Sequence, residues 1–199
     1  MNLPKARFII IALSLMSAAA LAGDITGTIS CTGARDCRDI VVYLPDATGT
    51  FTPPEDHAQI DQTNLVFVPH VLPILVGTTV DFKNNDDVMH NVYSPDQAAD
   101  KFNLGSWPKG EVRSHTFTSC DQFCSPVILC NVHPEMSAYV IVVKNPYFAV
   151  TDKAGNFTIK DVPAGDYKLA LWHEKLNGDG ATVTVPATGS VSVSLEMHH

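Results

Sequence analysis

The sequence predicts an all-β protein: a Greek-key β-sandwich followed by a second, smaller β-sandwich. Three observations point there. Helical periodicity is almost absent along the 199 residues. Short runs of β-branched and aromatic residues recur instead, separated by clusters of Gly, Pro, Asn and Asp. At Asn145 the character of the chain changes, and turn-plus-strand units begin to repeat. Many short strands with turns at this spacing favour antiparallel sandwiches over mixed α/β layers.

Residues 1–22 read as a secretory signal peptide. Lys5 and Arg7 form a basic start, Phe8 to Leu15 are almost wholly apolar, and Ala20-Leu21-Ala22 is a small-x-small cleavage site, with cleavage expected after Ala22. The implied location is periplasmic or secreted. No later stretch reaches the ~18 uninterrupted apolar residues of a spanning helix, so no membrane span is expected in the mature chain. Gly23 stands where a lipid-anchored protein would carry Cys. The 13 basic and 21 acidic side chains give a formal charge of −8, and removing the leader with Lys5 and Arg7 takes it to −10. That balance argues against nucleic acid, which needs a basic footprint. It suits an acidic surface steering toward a basic partner.

After the leader, residues 23–50 hold two strand-like runs. Ile25 to Ser30 alternates apolar and polar residues, and Asp39 to Leu44 is rich in β-branched residues. Pro45, Gly49, Pro53 and Pro54 mark a loop. Val66 to Val76 contains Pro69 and Pro73, which remove ladder donors, so it is expected at a sheet edge or a bulge. Gly77 turns the chain into Thr79–Phe82. Ser94 to Ser106 is polar and reads as a loop with one helical turn near Gln97 to Lys101. Lys109-Gly110-Glu111 turns into Val112–Thr118, and Val127–Cys130 and Ala138–Val143 are strands. Beyond Asn145, Thr151 to Ile159 reads as a turn followed by an alternating strand, Val162 to Glu174 repeats the unit, and Thr182–Val185 and Ser190–Leu195 are two more strands.

The chemistry concentrates in Cys130-Asn131-Val132-His133-Pro134-Glu135-Met136. A strand delivers a thiol, an imidazole follows three residues later, and a thioether three after that. His90 ends another strand-like region upstream. Two imidazoles, one thiolate and a weak axial thioether are the donor set of a blue copper site. Structural zinc prefers four Cys or His ligands in two close pairs and rarely takes Met. A dithiol redox motif fails, because five residues separate Cys124 from Cys130. The blander alternative is a buried Cys beside a surface His and a core Met.

Five cysteines in an exported chain leave one over, and a metal thiolate at Cys130 accounts for it. The other four allow three pairings; proximity favours Cys31–Cys37 and Cys120–Cys124. Other residues invite plainer readings. His70 is a packed or exposed strand histidine, His115 faces solvent, and Met89 is a pocket wall. Trp172-His173-Glu174 reads as a core Trp beside a hydrogen-bonded His.

The region from about Ala58 to Lys144 resembles a cupredoxin, and a domain at 56–144 follows. Phe67-Val68-Pro69, Leu75 to Phe82, Asn84-Asn85-Asp86 and His90-Asn91-Val92 resemble its middle strands and first ligand. Phe117, Cys130, His133 and Met136 resemble its closing strand and ligand loop. Two residues between each pair of ligands, and Pro after the second His, is closest to the amicyanin pattern; plastocyanin-type loops have two more between His and Met. The resemblance implies one type 1 copper bound by His90, Cys130, His133 and Met136. It gives His133 the role of electron exit, and Asn91 that of tying the ligand loops, against the simpler reading of a turn Asn.

Residues 145–199 resemble a transthyretin-like, carboxypeptidase regulatory-like β-sandwich. Asp152-Lys153-Ala154-Gly155-Asn156-Phe157-Thr158-Ile159 and Val162-Pro163-Ala164-Gly165-Asp166-Tyr167-Lys168-Leu169 carry the likeness, with Phe157, Tyr167 and Leu169 expected in the core. About 55 residues is short for such a sandwich. The strands of 23–50 resemble its missing first pair, so the cupredoxin-like region is expected to interrupt it; alternatively those strands belong to the cupredoxin-like region. The expected function is a periplasmic one-electron carrier and not an enzyme, serving redox proteins such as a c-type cytochrome or an oxidoreductase. The alternatives are copper delivery without redox turnover, which the few methionines disfavour, and a cupredoxin-fold protein that binds a partner.

Overall fold

A computed structural model describes residues 21–96, 99, 101–121 and 123–199. The signal peptide, apart from Leu21 and Ala22, lies outside them, and so does most of the expected turn at Gln97 to Lys101. Every regular element among the described residues is a strand. In order these are β1 (Ala22–Thr32), β2 (Val41–Tyr43), β3 (Ala58–Thr63), β4 (Val66–Val68), β5 (Val71–Leu75), β6 (Thr79–Asn84), β7 (His90–Ser94) and β8 (Phe102–Trp107). Then follow β9 (Val112–Thr116), β10 (Val127–Leu129), β11 (Ser137–Val143), β12 (Phe148–Val150), β13 (Asn156–Pro163), β14 (Gly165–Trp172), β15 (Ala181–Val185) and β16 (Ser190–His198).

Four sheets form two sandwiches. The first joins a sheet ordered β5-β11-β10-β7-β8 to one ordered β4-β3-β6-β9; the second joins β13-β1-β16 to β12-β2-β14-β15. In the first, β5 lies parallel to β11 and β3 parallel to β6, so the chain crosses between sheets in Greek-key fashion. In the second, β1 is the middle strand of its sheet, antiparallel to β13 and parallel to β16. β2 sits between β12 and β14. Strands from both ends of the chain therefore share one sandwich.

The burial patterns explain the pairing. β6 alternates strictly and turns Val80, Phe82 and Asn84 inward. Phe157 and Ile159 do the same in β13. β11 is different, being apolar on both faces. Ala138, Val140 and Val142 join the first core, while Ile141 and Val143 join a separate cluster with Val41 and Val71. Tyr43, Phe148 and Trp172 pack on that cluster, so the outer face of the β5–β11 sheet is covered by the second sandwich. A continuous apolar run is what a strand buried on both sides requires.

Pro69 and Pro73 flank or occupy β4 and β5, and each of these strands is the edge of its sheet, where a missing ladder donor costs least. One expectation needs correction. The stretch Ser94 to Ser106, read as a loop, contains strand β8. Its polar residues hide an alternation in which Phe102 and Leu104 pack on the first core and Trp107 is fully buried. A register shift in its pairing with β7, and Gly105 at φ 76°, interrupt the pattern.

Candidate metal centre

Two short turns and one strand pairing build the site. Asn84, buried at the end of β6, donates from Nδ2 to the carbonyls of Val88 (2.8 Å) and Trp107 (2.9 Å) and accepts from the Asp86 amide (2.9 Å). These bonds fold residues 84–88 into a tight turn that delivers His90 to the start of β7. Antiparallel pairing of Leu129 with Tyr93 then runs the chain after β10 back along β7 toward its start, which brings Cys130 to His90. In the loop that follows, the Met136 amide donates to the His133 carbonyl (3.0 Å). That turn carries His133 back over the site.

The result is a convergence of donors. His90 Nδ1 lies 3.0 Å from His133 Nδ1 and 3.9 Å from Cys130 Sγ. The three donor atoms all fall within 4.8 Å of one another. His90 and Cys130 are buried, His133 is half-buried, and Met136 is buried in the same core as Cys130. Cys130 is the free cysteine; Cys31–Cys37 and Cys120–Cys124 are bridged.

The hydrogen bonds prepare these atoms for a cation. The Asp86 carboxylate can only accept, so at 2.8 Å it fixes the proton of His90 on Nε2 and leaves the Nδ1 lone pair facing inward. The Asn91 amide donates to Cys130 Sγ (3.4 Å), a contact that favours the thiolate. Asn91 Nδ2 donates to Asn103 Oδ1 and to the Gly105 carbonyl, while its Oδ1 accepts from the Asn131 amide (3.3 Å). Asn91 therefore ties the His90 turn to the Cys130 loop. Donors about 2.0–2.3 Å from one ion stand at separations such as these. Two imidazole nitrogens and a sulfur aimed at one point therefore fit a soft or borderline metal ion.

Sequence reasoning passed over Asp86. Its carboxylate accepts from His90, from Asn64 N–H (2.6 Å) and from Leu65 N–H (2.9 Å). Burial opposes its charge, but the Leu65 amide, the His90 ring and the Asn64 amide together hold its carboxyl below the usual range. Asn64 and Leu65 are both left-handed (φ 55° and 60°) and form the two-residue turn between β3 and β4. The available signal was a carboxylate four residues before a candidate ligand histidine.

Two other expectations change. His115 does not simply face solvent: its ring stacks on Phe102 at 3.9 Å and meets Phe117 edge-on. Its strand sits at a sheet edge where these aromatics reach across. Met89, read as a pocket wall, is about half exposed. His70 and Glu174 do meet, through His70 Nε2 at 3.1 Å.

A family profile describing domain II of polysaccharide lyase family 4 matches residues 137–193. Curated proteins yield no match. Among solved structures, the chain is similar to a copper-containing nitrite reductase from Thermus scotoductus SA-01, with 24% identity and TM-score 0.42, over 59% of this chain and 28% of the reductase. A purple cupredoxin from Nitrosopumilus maritimus matches with 29% identity and TM-score 0.37, over 43% of this chain and 98% of that one. A copper(I) amicyanin variant matches with 23% identity and TM-score 0.39, over 43% and 81%. The chain thus spans under a third of the reductase. No helix among the described residues is long and apolar enough to cross a membrane.

Proposed function

We propose that this protein is an exported single-electron carrier with one type 1 copper bound by His90, Cys130, His133 and Met136. One observation carries the reading: two imidazole Nδ1 atoms and one unbridged Sγ converge at one end of a sandwich, with the His90 tautomer already fixed by Asp86. Copper at such a site supplies a reversible one-electron couple.

The residues around it do the rest. Sheet-borne ligands held by Asn84, Asp86 and Asn91 resist rearrangement, so one geometry serves both oxidation states. Met136, buried beside Cys130, is the weak fourth donor. His133 is the partly open ligand, and exposed Val132 stands next to it; this is where a redox partner would approach. A donor set filled by four side chains leaves no position for a substrate, so the protein is read as a carrier and not an enzyme. The partners are periplasmic redox proteins of opposite charge. The second sandwich, built from residues 23–50 and 145–199, is read as a transthyretin-like domain interrupted by the cupredoxin-like one.

The test is the absorption and EPR spectrum of the copper-loaded protein beside Cys130→Ser. The expected result is an intense visible band with small hyperfine splitting that disappears in the variant. An ordinary Cu(II) spectrum, the same in both proteins, would remove Cys130 from the site and leave copper delivery or partner binding as the reading.

A further inference from the structure

The Trp172-His173-Glu174 segment begins at the last residue of β14 in the second sandwich, yet it reaches the far side of the ligand loop. Its contact runs through His70, in the short link between β4 and β5. His70 Nδ1 lies 3.1 Å from the Ser137 carbonyl, and Nε2 lies 3.1 Å from the Glu174 carboxylate. The ring thus stands between two acceptors, a carbonyl on the ligand loop and a carboxylate of the second sandwich. The His70 carbonyl also accepts the Tyr139 amide (2.8 Å). Tyr139 packs edge-on against His70 at 5.7 Å and against Trp172 at 5.1 Å. Ser137 directly follows Met136.

We propose that Glu174 and His70 are positioning residues through which the second sandwich fixes the C-terminal end of the metal-ligand loop, and with it Met136. This rests on the copper reading for its spectroscopic consequence but not for its mechanical one. The loop has two anchors. At Asn131 it is held by Asn91, within the first sandwich. At Ser137 it is held by His70, which is itself oriented from the second. Were copper held here, Met136 would supply its weak thioether donor, and the second anchor would act on how near that sulfur comes to the other donors, which bears on the potential.

Electrostatics at the contact agree. Burial works against the charge on Glu174, but the hydrogen bond and charge of His70, followed by Lys175, hold its carboxyl below the usual range. Burial, followed by the same carboxylate, raises the Tyr139 phenol. The contact is mostly shielded, with 34% and 19% of the His70 and Glu174 side chains exposed, so solvent screens it less than a surface pair.

The experiment uses the full mature chain and the variants Glu174→Gln, His70→Gln, the double variant, and Lys175→Ala as a control on Glu174's more exposed partner (3.5 Å). In the metal-free proteins, amide exchange at Met136 and Tyr139 is expected to accelerate about tenfold in both single variants, as on loss of one hydrogen bond to a charged group. It should accelerate no further in the double variant and stay unchanged in Lys175→Ala. With copper bound, the same variants are expected to shift the potential and the EPR g-values while keeping the thiolate band. Unchanged exchange at Met136 and Tyr139, equal acceleration across all strands, or additive effects in the double variant would each overturn the proposal. Absence of the thiolate band in the parent protein would instead overturn the copper reading, and the exchange result would stand by itself.

Discussion

The two sandwiches have the same architecture but bury different things. Inside the first lie Gln62, Thr78, Asn84, His90, Asn91 and Ser94, a dense polar group by the standard of a β core. In the second, the buried polar side chains Asn145 and Thr151 serve backbone. Asn145 donates to the carbonyls of Leu44 and Ala47. The Thr151 hydroxyl donates to the Cys37 carbonyl and accepts the Ile40 amide. Those contacts close loops. Asn84 and Asn91 instead hold turns that aim His90 and Cys130 at each other. The difference teaches where function sits: buried polar groups cost free energy unless paired, and among the described residues it is Asn84, His90 and Asn91 of the first sandwich that are paired around a point where a cation fits. The second supplies covering surface and the Glu174 contact.

The largest effect that would break this contrast concerns independence. Since β1 is central in its sheet and β2 lies between β12 and β14, a fragment beginning at Asn145 lacks the middle of both sheets. It is expected to stay unfolded, with a random-coil circular dichroism spectrum and little amide dispersion. A fragment that folds by itself would show that residues 23–50 are dispensable and that the second sandwich is not interrupted.

The next test sharpens the division of labour. Ile159 is almost fully buried in the second core. Ile159→Ala is expected to destabilise the protein by about 2–5 kcal/mol in denaturant titrations, while the spectrum of the copper-loaded folded protein stays as it was. A change in hyperfine splitting would mean that core packing in the second sandwich reaches the site by routes other than the Glu174 contact.

Asp86→Asn acts in the first sandwich. The amide keeps the shape of the carboxylate but loses the charge and one of its two acceptor oxygens, leaving His90 Nε2 and the Asn64 and Leu65 amides in competition. Copper affinity is expected to fall ~10–100-fold, as for other partners of ligand histidines, measured by competition with a chelator of known affinity. Equal affinity in the variant would reduce Asp86 to a turn-forming residue.

Much of this was legible from residues. Cys130, His133 and Met136 at a spacing of three, with His90 upstream, needed only the strand context to suggest a common end of a sandwich. The cysteine pairings followed from short separations, and the prolines near β4 and β5 pointed to sheet edges. What stayed hidden depended on contacts far apart in the chain. β8 carries Asn103, Gly105 and Ser106 because its register is bulged and its outer face is open, so its composition resembled a loop. β3 alternates only weakly, as Gln62 takes an inward position and donates to the Lys83 carbonyl. Asp86 looked like one more turn residue, because its meaning lies in the His90 ring and in the β3–β4 turn. His70 and Glu174 are separated by 104 residues, and no local pattern could join them.

The smallest expected effect concerns acid. The carboxyl of Glu174 has a lower pKa folded than unfolded, so its contribution to stability is complete above the ordinary glutamate range and fades as pH falls through the folded value. The side chain is partly exposed, and the effect is correspondingly modest. Thermal unfolding of metal-free parent and Glu174→Gln proteins should therefore differ by a margin that is present above the ordinary glutamate range and closes as pH falls through and below that range. The two sandwiches would then separate by pH: the margin reports the contact between them, whereas loss common to both proteins reports the other carboxylates. A margin that does not shrink as the solution is acidified would place the benefit of Glu174 in its shape and packing, and the link between the sandwiches would then rest on the apolar cluster around Ile141 and Trp172.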